Sequence, residues 1–177
     1  MKKLTKLTSL LLAGIMALAM LTACGGTGND AATAKFEASV EQAYMAKLKE
    51  KFGEEFKNFE NDADIKKLAV EHIEEMANNE TLSMDELWKK EELSEKAQNW
   101  VMICYDVNQG TGKAYVKSSY EAGKAETIET KNIDTFFSLA QMKRANVAKK
   151  AKFTALGVGA KTINGKTYVA IGFRVEG

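Results

Sequence analysis

The feature that most constrains the fold of this chain is a pair of β-prone runs near its C-terminal end. The runs cover 154–162 and 166–175, and Asn164-Gly165 lies between them. Asn-Gly is the strongest short signal for a β-hairpin, because both residues accept the positive φ angles of a type I′ turn. We therefore predict two adjacent antiparallel strands. The two glycines inside the first run indicate a bulge or a close approach of another backbone segment.

Much of the chain before the hairpin has the periodicity of amphipathic helices. Residues 31–60 predict one helix, although Gly53 interrupts the pattern. A second helix is predicted to begin at Asp62 or Asp64, since either carboxylate can cap its N-terminus. The apolar stripe of the first helix contains Phe36, Val40, Tyr44, Leu48, Phe52, Phe56 and Phe59. This stripe needs a partner surface, which is either the rest of the chain or another protein.

The middle of the chain gives weaker patterns. We predict a helix, or two short helices, over 87–105, short strands over 113–120 and 126–130, and a helix from 132 or 134 to about 150. Helices followed by strands, another helix and a hairpin predict an α+β fold, with an antiparallel sheet covered by helices. His72 and Cys104 lie on apolar stripes, which favours a hydrogen-bonded core histidine and a buried, inert thiol.

The N-terminus has the pattern of an export signal. Lysines at positions 2, 3 and 6 precede an apolar run over 10–21, which is short for a membrane span of ~20 residues. The following Leu21-Thr22-Ala23-Cys24 resembles the lipobox of bacterial lipoproteins. That resemblance implies removal of 1–23, acylation of Cys24, and attachment to the outer face of the cell membrane, with 24–33 as a flexible tether.

Composition excludes several functional classes. Lys plus Arg number 25 and Asp plus Glu number 24, so the chain lacks the basic excess of a nucleic-acid-binding protein. One histidine and two cysteines are too few for a zinc finger or a disulfide scaffold. We therefore expect no nucleic-acid partner.

Two further segments contain motifs of a known family. The first is 87–100, which contains Leu-Trp and then Ala-Gln-Asn-Trp; the second is Lys143-Arg-Ala-Asn-Val, followed by Phe153-Thr-Ala-Leu-Gly-Val-Gly. Both segments resemble bacterial CAP-superfamily domains, also called SCP domains. The resemblance implies an α-β-α sandwich, with a three-stranded antiparallel sheet between helical layers, over 62–177. The amphipathic helix, taken as 34–61, lies outside it.

The family cleft usually carries two histidines and two acidic residues that can bind a divalent metal. Here Lys143 stands in place of one histidine, whereas Arg144 and Asn146 match the family pattern. The family's Gly-Glu-Asn stretch has no counterpart, which leaves Glu121 and Glu126 as acidic candidates. Because an ammonium group has no lone pair to donate, we expect neither a metal site nor another cofactor.

These patterns predict a membrane-anchored, extracytoplasmic CAP-like domain that binds an envelope component, a lipid or a protein partner without catalysis. Two alternatives stay open. One is a peptidase-like hydrolase that uses Glu121 or Glu126 in an atypical site. The other is a scaffold lipoprotein that contacts its partner through the 34–61 helix.

Overall fold

A computed structural model describes residues 28–104, 106–107, 114–115, 119–121, 128–148 and 150–177. The chain divides into two compact units, 1–35 and 36–177, and all the contacts given below lie within the second unit. The helices are α1 (Gly28–Phe52), α2 (Ala63–Met76) and α3 (Ile133–Val147), with a 3₁₀ turn at Gly53–Glu55. The strands are β1 (Thr81–Leu82), β2 (Trp88–Ser94), β3 (Ala97–Ile103), β4 (Asp106–Val107), β5 (Ala114–Tyr115), β6 (Ser119–Glu121), β7 (Lys152–Ile163) and β8 (Lys166–Glu176).

The main sheet is antiparallel and is organised around β8. Strand β7 pairs with β8 along its whole length, while β3 and β6 share the other side of β8, and β2 pairs with β3. Strands β1, β5 and β4 form a separate small sheet. The α+β class is therefore confirmed. The main sheet nevertheless contains five strands among the described residues, and not the three that the family resemblance implied.

The predicted helix over 87–105 is wrong, because this segment forms the hairpin of β2 and β3. Trp88 lies opposite Met102, and Lys90 lies opposite Trp100. The inner strand β3 is buried on both faces, so it lacks the alternation that marks a half-exposed strand. Strand β2 carries helix-forming Lys and Glu residues, and pairing with β3 overrides that local preference.

The C-terminal hairpin is confirmed. Asn164 and Gly165 form the turn with φ angles of 52° and 77°. A Cβ atom placed on Gly157 would lie 2.7 Å from Cβ of Ile65, and one placed on Gly159 would lie 2.9 Å from Cβ of Ala69. Of the two alternatives predicted for these glycines, the close approach is the one that forms, and helix α2 is the segment that approaches.

Helix α2 begins where the sequence predicted and packs on the sheet. Asp62 is its N-cap, and its carboxylate accepts hydrogen bonds from the backbone N–H groups of Asp64 and Ile65 at 3.1 and 3.0 Å. Its buried residues are Ile65, Leu68, Ala69, His72 and Ile73. Because the sheet glycines have no side chains, helix α2 lies closer to the sheet than it could if these positions carried a Cβ atom.

The apolar stripe of helix α1 is part of the core. Val40, Tyr44 and Leu48 are completely buried, and Phe52 packs against Phe137 of α3 with 4.2 Å between ring centroids. The stripe is therefore not a free surface for a partner. The helix begins at Gly28, inside the range predicted as a tether, and ends at Phe52, because Gly53 has a left-handed φ of 59°. The predicted helix over 31–60, taken as 34–61, is therefore wrong beyond Phe52.

Side chains from α1 and the following loop cover the outer edge of β7. Glu37 accepts a hydrogen bond from the backbone N–H of Thr162 at 2.7 Å, and Glu41 accepts one from the N–H of Ala160 at 3.1 Å. Asn61 accepts from the N–H of Val158 at 2.8 Å. These bonds satisfy backbone donors that would otherwise be open to pairing with another strand.

Three sequence predictions need adjustment around α3. The helix runs from Ile133 to Val147, which is slightly shorter than predicted. The predicted 113–120 strand is represented by β5 and β6, with 113 and 116–118 outside the described residues. The described part of the predicted 126–130 strand, residues 128–130, is not a strand. No helix in the described ranges combines the length and apolarity needed to cross a membrane.

Candidate functional site

Two tryptophans and two lysines come together where side chains of β2 and β3 meet side chains of α3. We call Trp88, Lys90, Trp100 and Lys143 the tryptophan–lysine cluster. Trp88 and Lys90 are two residues apart on β2, so their side chains lie on the same face of the sheet. Trp100 lies directly opposite Lys90 on β3, and Lys143 reaches the cluster from α3.

The ammonium group of Lys143 lies over both indoles. Its Nζ atom is 4.4 Å from the ring centroid of Trp100 and 5.3 Å from that of Trp88. The two indoles are packed edge to face, with 6.2 Å between centroids and an interplanar angle of 81°. Lys90 approaches the Trp100 ring as well, with its Nζ 5.6 Å from the centroid. These distances are within the range in which the negative face of an indole attracts a cation.

The two tryptophans are held in place by neighbouring side chains. Trp88 stacks on Phe136 with a centroid distance of 6.4 Å and an interplanar angle of 23°, and it packs edge-on against Phe173. Trp100 donates a hydrogen bond from its indole N–H to the side-chain oxygen of Gln98 at 3.2 Å. Both tryptophans are half-buried. The cluster is therefore a partly exposed extension of the hydrophobic core, formed by two indoles at nearly right angles.

The charges of the cluster do not cancel. Lys90 forms an ion pair with Glu92, which is on the same strand. Within the part of the chain that the structure describes, Lys143 has no carboxylate within ion-pairing distance, and its recorded contacts are with the two indoles. The cluster and its ion-pair partner thus carry two positive charges and one negative charge.

The cleft residues predicted from the family resemblance do not form one site in the described structure. Arg144 is paired with Glu55, with 3.1 Å between Nη1 and Oε1, and its guanidinium lies 5.1 Å from the ring centroid of Phe153. These contacts connect α3 to the 3₁₀ turn and to β7. Asn146 is exposed on the last turn of α3. Lys143 alone contacts the aromatic cluster.

The acidic candidates are not near Lys143. Glu121 lies opposite Lys166, at the end of β8 that is far from Phe173, the neighbour of Trp100. At ~3.4 Å per residue these positions are roughly 20 Å or more apart along the strand. Glu126 and Cys24 lie outside the described residues. The described residues also contain no group of three or more His, Cys, Asp or Glu side chains placed to hold a metal ion.

His72 is a buried core histidine with one ring nitrogen bonded. Its Nε2 lies 3.0 Å from the backbone carbonyl oxygen of Leu87, so Nε2 carries the proton and donates it. Within the described structure Nδ1 has no hydrogen-bond partner, and its nearest carboxylate oxygen, on Glu75, is 3.9 Å away. Burial lowers the pKa of His72 below its ordinary value, because the protonated ring would lose its hydration.

Cys104 is completely buried, as expected for an inert thiol. Burial raises its pKa well above the ordinary value. The neighbouring Tyr44 hydroxyl is 3.1 Å from that of Tyr120 and accepts a bond from the backbone N–H of Lys131 at 3.0 Å. This network connects α1 to the segment that precedes α3. Tyr44 is completely buried and Tyr120 is half-buried, so the network lies at the edge of the core.

A polar cleft of about 480 Å³ lies beside the start of α3. Its charged residues largely neutralise one another: Lys47 pairs with Glu50 at 2.8 Å, and Lys51 pairs with Asp134. We consider it a weaker candidate than the tryptophan–lysine cluster, because no described cation in it lacks a carboxylate partner.

Sequence reasoning identified Lys143 but missed Trp88, Lys90 and Trp100 as its neighbours. The error came from interpreting 88–103 as helical. The alternate spacing of Trp88 and Lys90 was the available signal, since it places both on one face of a strand. A scan against models of protein families, a search of curated proteins and a search of solved structures each found no match to this chain.

Proposed function

We propose that this protein is a lipid-anchored, extracytoplasmic CAP-like domain that binds a component of the cell envelope and does not catalyse a reaction. The observation that carries the proposal is the position of Lys143, whose ammonium lies over Trp88 and Trp100. A cation on an exposed aromatic surface is an arrangement suited to recognition. An ammonium group cannot serve as a metal ligand.

We also propose that the chain has the α-β-α sandwich arrangement of the CAP superfamily, with a larger sheet. Neighbouring residues of β8 support this arrangement, because they face opposite sides of the sheet. Gly172 faces Ile65 of α2, whereas Phe173 packs on Phe136 of α3 with 5.8 Å between ring centroids. A layer of helix on each face is the sandwich order.

The proposed anchor is a lipid on Cys24, and acylation can be tested directly. We would produce the full chain in bacteria that process lipoproteins and measure incorporation of labelled palmitate. The Cys24→Ser variant should lose the label. The Cys104→Ser variant is the matched control and should keep it, because Cys104 is buried in the folded domain. Equal labelling of the two variants would contradict the anchor.

The proposed binding role can be tested with the full chain in detergent micelles. We would measure co-sedimentation with purified cell wall and, separately, flotation with lipid vesicles. Saturable binding to cell wall, or flotation that persists in the Cys24→Ser variant without the anchor, is the expected result, with the bound material recovered uncleaved. Release of cleavage products that stopped in a Glu121→Gln variant would instead favour the hydrolase alternative. Absence of binding to both would contradict an envelope-binding function.

A further inference from the structure

We propose that the tryptophan–lysine cluster is a binding site for an anionic saccharide with one negative charge on each sugar ring, either a carboxylate or a phosphodiester. This inference rests on the proposed envelope-binding function and adds the site and the chemical class of ligand. In the bound state the side chains of Lys90 and Lys143 turn away from the indole of Trp100, and the apolar C–H face of the sugar stacks on that indole. The negative group pairs with the ammonium groups of Lys90 and Lys143.

The charge of the site matches a single negative group. Both ammonium groups lie within 5.6 Å of the same ring centroid, so the positive charges repel each other across Trp100. Glu92 compensates one of them through its ion pair with Lys90. Among the described residues, one positive charge remains without a carboxylate partner, on Lys143. A carboxylate or a phosphodiester carries the single negative charge that neutralises it.

The polar groups around Trp100 also match a saccharide. Gln98 uses its side-chain oxygen to accept the indole N–H of Trp100. That bond orients the Gln98 amide and leaves its NH₂ group without a recorded partner among the described residues. A flat aromatic face bordered by an amide donor and ammonium donors fits a ring that has one apolar face and hydroxyl oxygens at its edge.

A lipid surface fits the cluster less well. Aromatic side chains that bind the interface of a bilayer insert into it, which requires rings that project from the protein. Trp88 and Trp100 are instead half-buried, and Trp88 is packed on Phe136 and Phe173. Lys143 further covers the two indoles. A ligand can therefore contact this surface, but the rings cannot enter a membrane without unpacking.

The chain contains only two tryptophans, and both belong to the cluster, so selectively excited tryptophan fluorescence reports on this site alone. We would titrate the full chain in detergent micelles with a trimer of galacturonic acid, with a phosphodiester-linked trisaccharide, and with the neutral galactose trimer. At least one anionic trimer should change the fluorescence in a saturable way, and its identity distinguishes carboxylate from phosphodiester. The neutral trimer should bind at least tenfold more weakly.

Variants test the role of the ammonium group. Lys143→Gln should weaken binding of the anionic trimer roughly tenfold, and Lys143→Arg should stay within about threefold of the parent chain. Lys96→Gln is the matched control, since Lys96 is an exposed lysine in the turn between β2 and β3, and it should bind like the parent. Added salt should weaken binding, because the site is partly exposed to solvent. Circular dichroism should confirm that each variant is folded.

Three outcomes would overturn the inference. The first is equal affinity for neutral and anionic trimers, and the second is an equal loss of affinity for the anionic trimer in Lys143→Gln and Lys96→Gln. The third is a fluorescence change with anionic vesicles and none with any trimer. The cell-wall experiment separates this failure from failure of the proposed function. If Lys143→Gln still co-sediments with cell wall like the parent chain, the envelope-binding function stands and the saccharide site is wrong.

Discussion

Replacing Gly172 with alanine should destabilise the protein because the added methyl group has no space. A Cβ atom at this position would lie 2.4 Å from Cγ1 of Val101, 2.6 Å from Cγ2 of Ile65 and 2.7 Å from the backbone carbonyl oxygen of Trp100. Favourable contacts between carbon atoms lie near 3.5–4.0 Å. The side chain of Val101 can rotate away. The carbonyl oxygen can move only if strand β3 moves.

The expected cost follows from these distances. Overpacking a core by one methyl group costs about 1–3 kcal/mol, and we expect the upper end because one of the clashes is with backbone. For a protein of this size, each kcal/mol corresponds to roughly 2–4 °C in melting temperature, so Gly172→Ala should melt roughly 6–12 °C below the parent chain. Gly165→Ala is the matched control: it adds the same methyl group at a φ of 77° where no atom lies within 4 Å. Its left-handed backbone should cost only about 1 kcal/mol.

Thermal unfolding followed by circular dichroism would measure both variants, and tryptophan fluorescence would give an independent signal. Gly172→Ala should also change the emission spectrum, since the carbonyl group of Trp100 must shift to admit the methyl group. Gly165→Ala should leave that spectrum unchanged. If Gly165→Ala destabilised the protein as much as Gly172→Ala, or if the spectrum were the same in both, the close approach of α2, β3 and β8 would be refuted.

Three further predictions concern buried titratable groups. Burial raises the pKa of Glu41, so the free energy of unfolding of the parent chain, relative to that of Glu41→Gln, should fall as pH rises from about 4.5 through the raised pKa. Glu41→Ala should lower the free energy of unfolding in urea by about 1–3 kcal/mol, because the N–H of Ala160 loses its acceptor. Unchanged stability of Glu41→Ala would contradict this. Burial lowers the pKa of His72, so the free energy of unfolding should fall as pH decreases from about 6.5 through the lowered pKa. If the free energy of unfolding of His72→Gln changed with pH in the same way over this range, His72 would not be the titrating group. Cys104 should resist alkylation by iodoacetamide in the native chain and react fully in guanidinium chloride; rapid native labelling, measured by mass spectrometry, would show that the thiol is accessible.

Local signals predicted several elements correctly because their causes are local. The hairpin at Asn164-Gly165 depends on two residues that accept positive φ, and the start of α2 depends on the Asp62 carboxylate, which is two and three residues from its donors. In each case the deciding interaction lies within one turn of chain.

The site was only partly predictable. Lys143 was identified through a family resemblance, which gave its identity but not its contacts. Those contacts depend on β2, which pairs with β3, and on β3, which pairs with the central strand β8 some 70 residues further along the chain. A run of Lys and Glu on β2 has no local preference for a strand, so no short pattern could predict that Lys90 would lie opposite Trp100.

The sequence by itself therefore determined the α+β class, the hairpin, the cap of α2 and the apolar stripe of α1. It also predicts the lipid anchor, which lies outside the described residues. Only the tertiary structure decided that 88–103 pairs as strands, that the described part of the main sheet has five strands, and that Lys143 meets Trp88 and Trp100. The physical reason is the distance along the chain between the interacting residues. Turns and caps form between near neighbours in sequence. Strand pairing and the contact of Lys143 with the indoles join segments that are far apart in sequence and meet only when the core assembles.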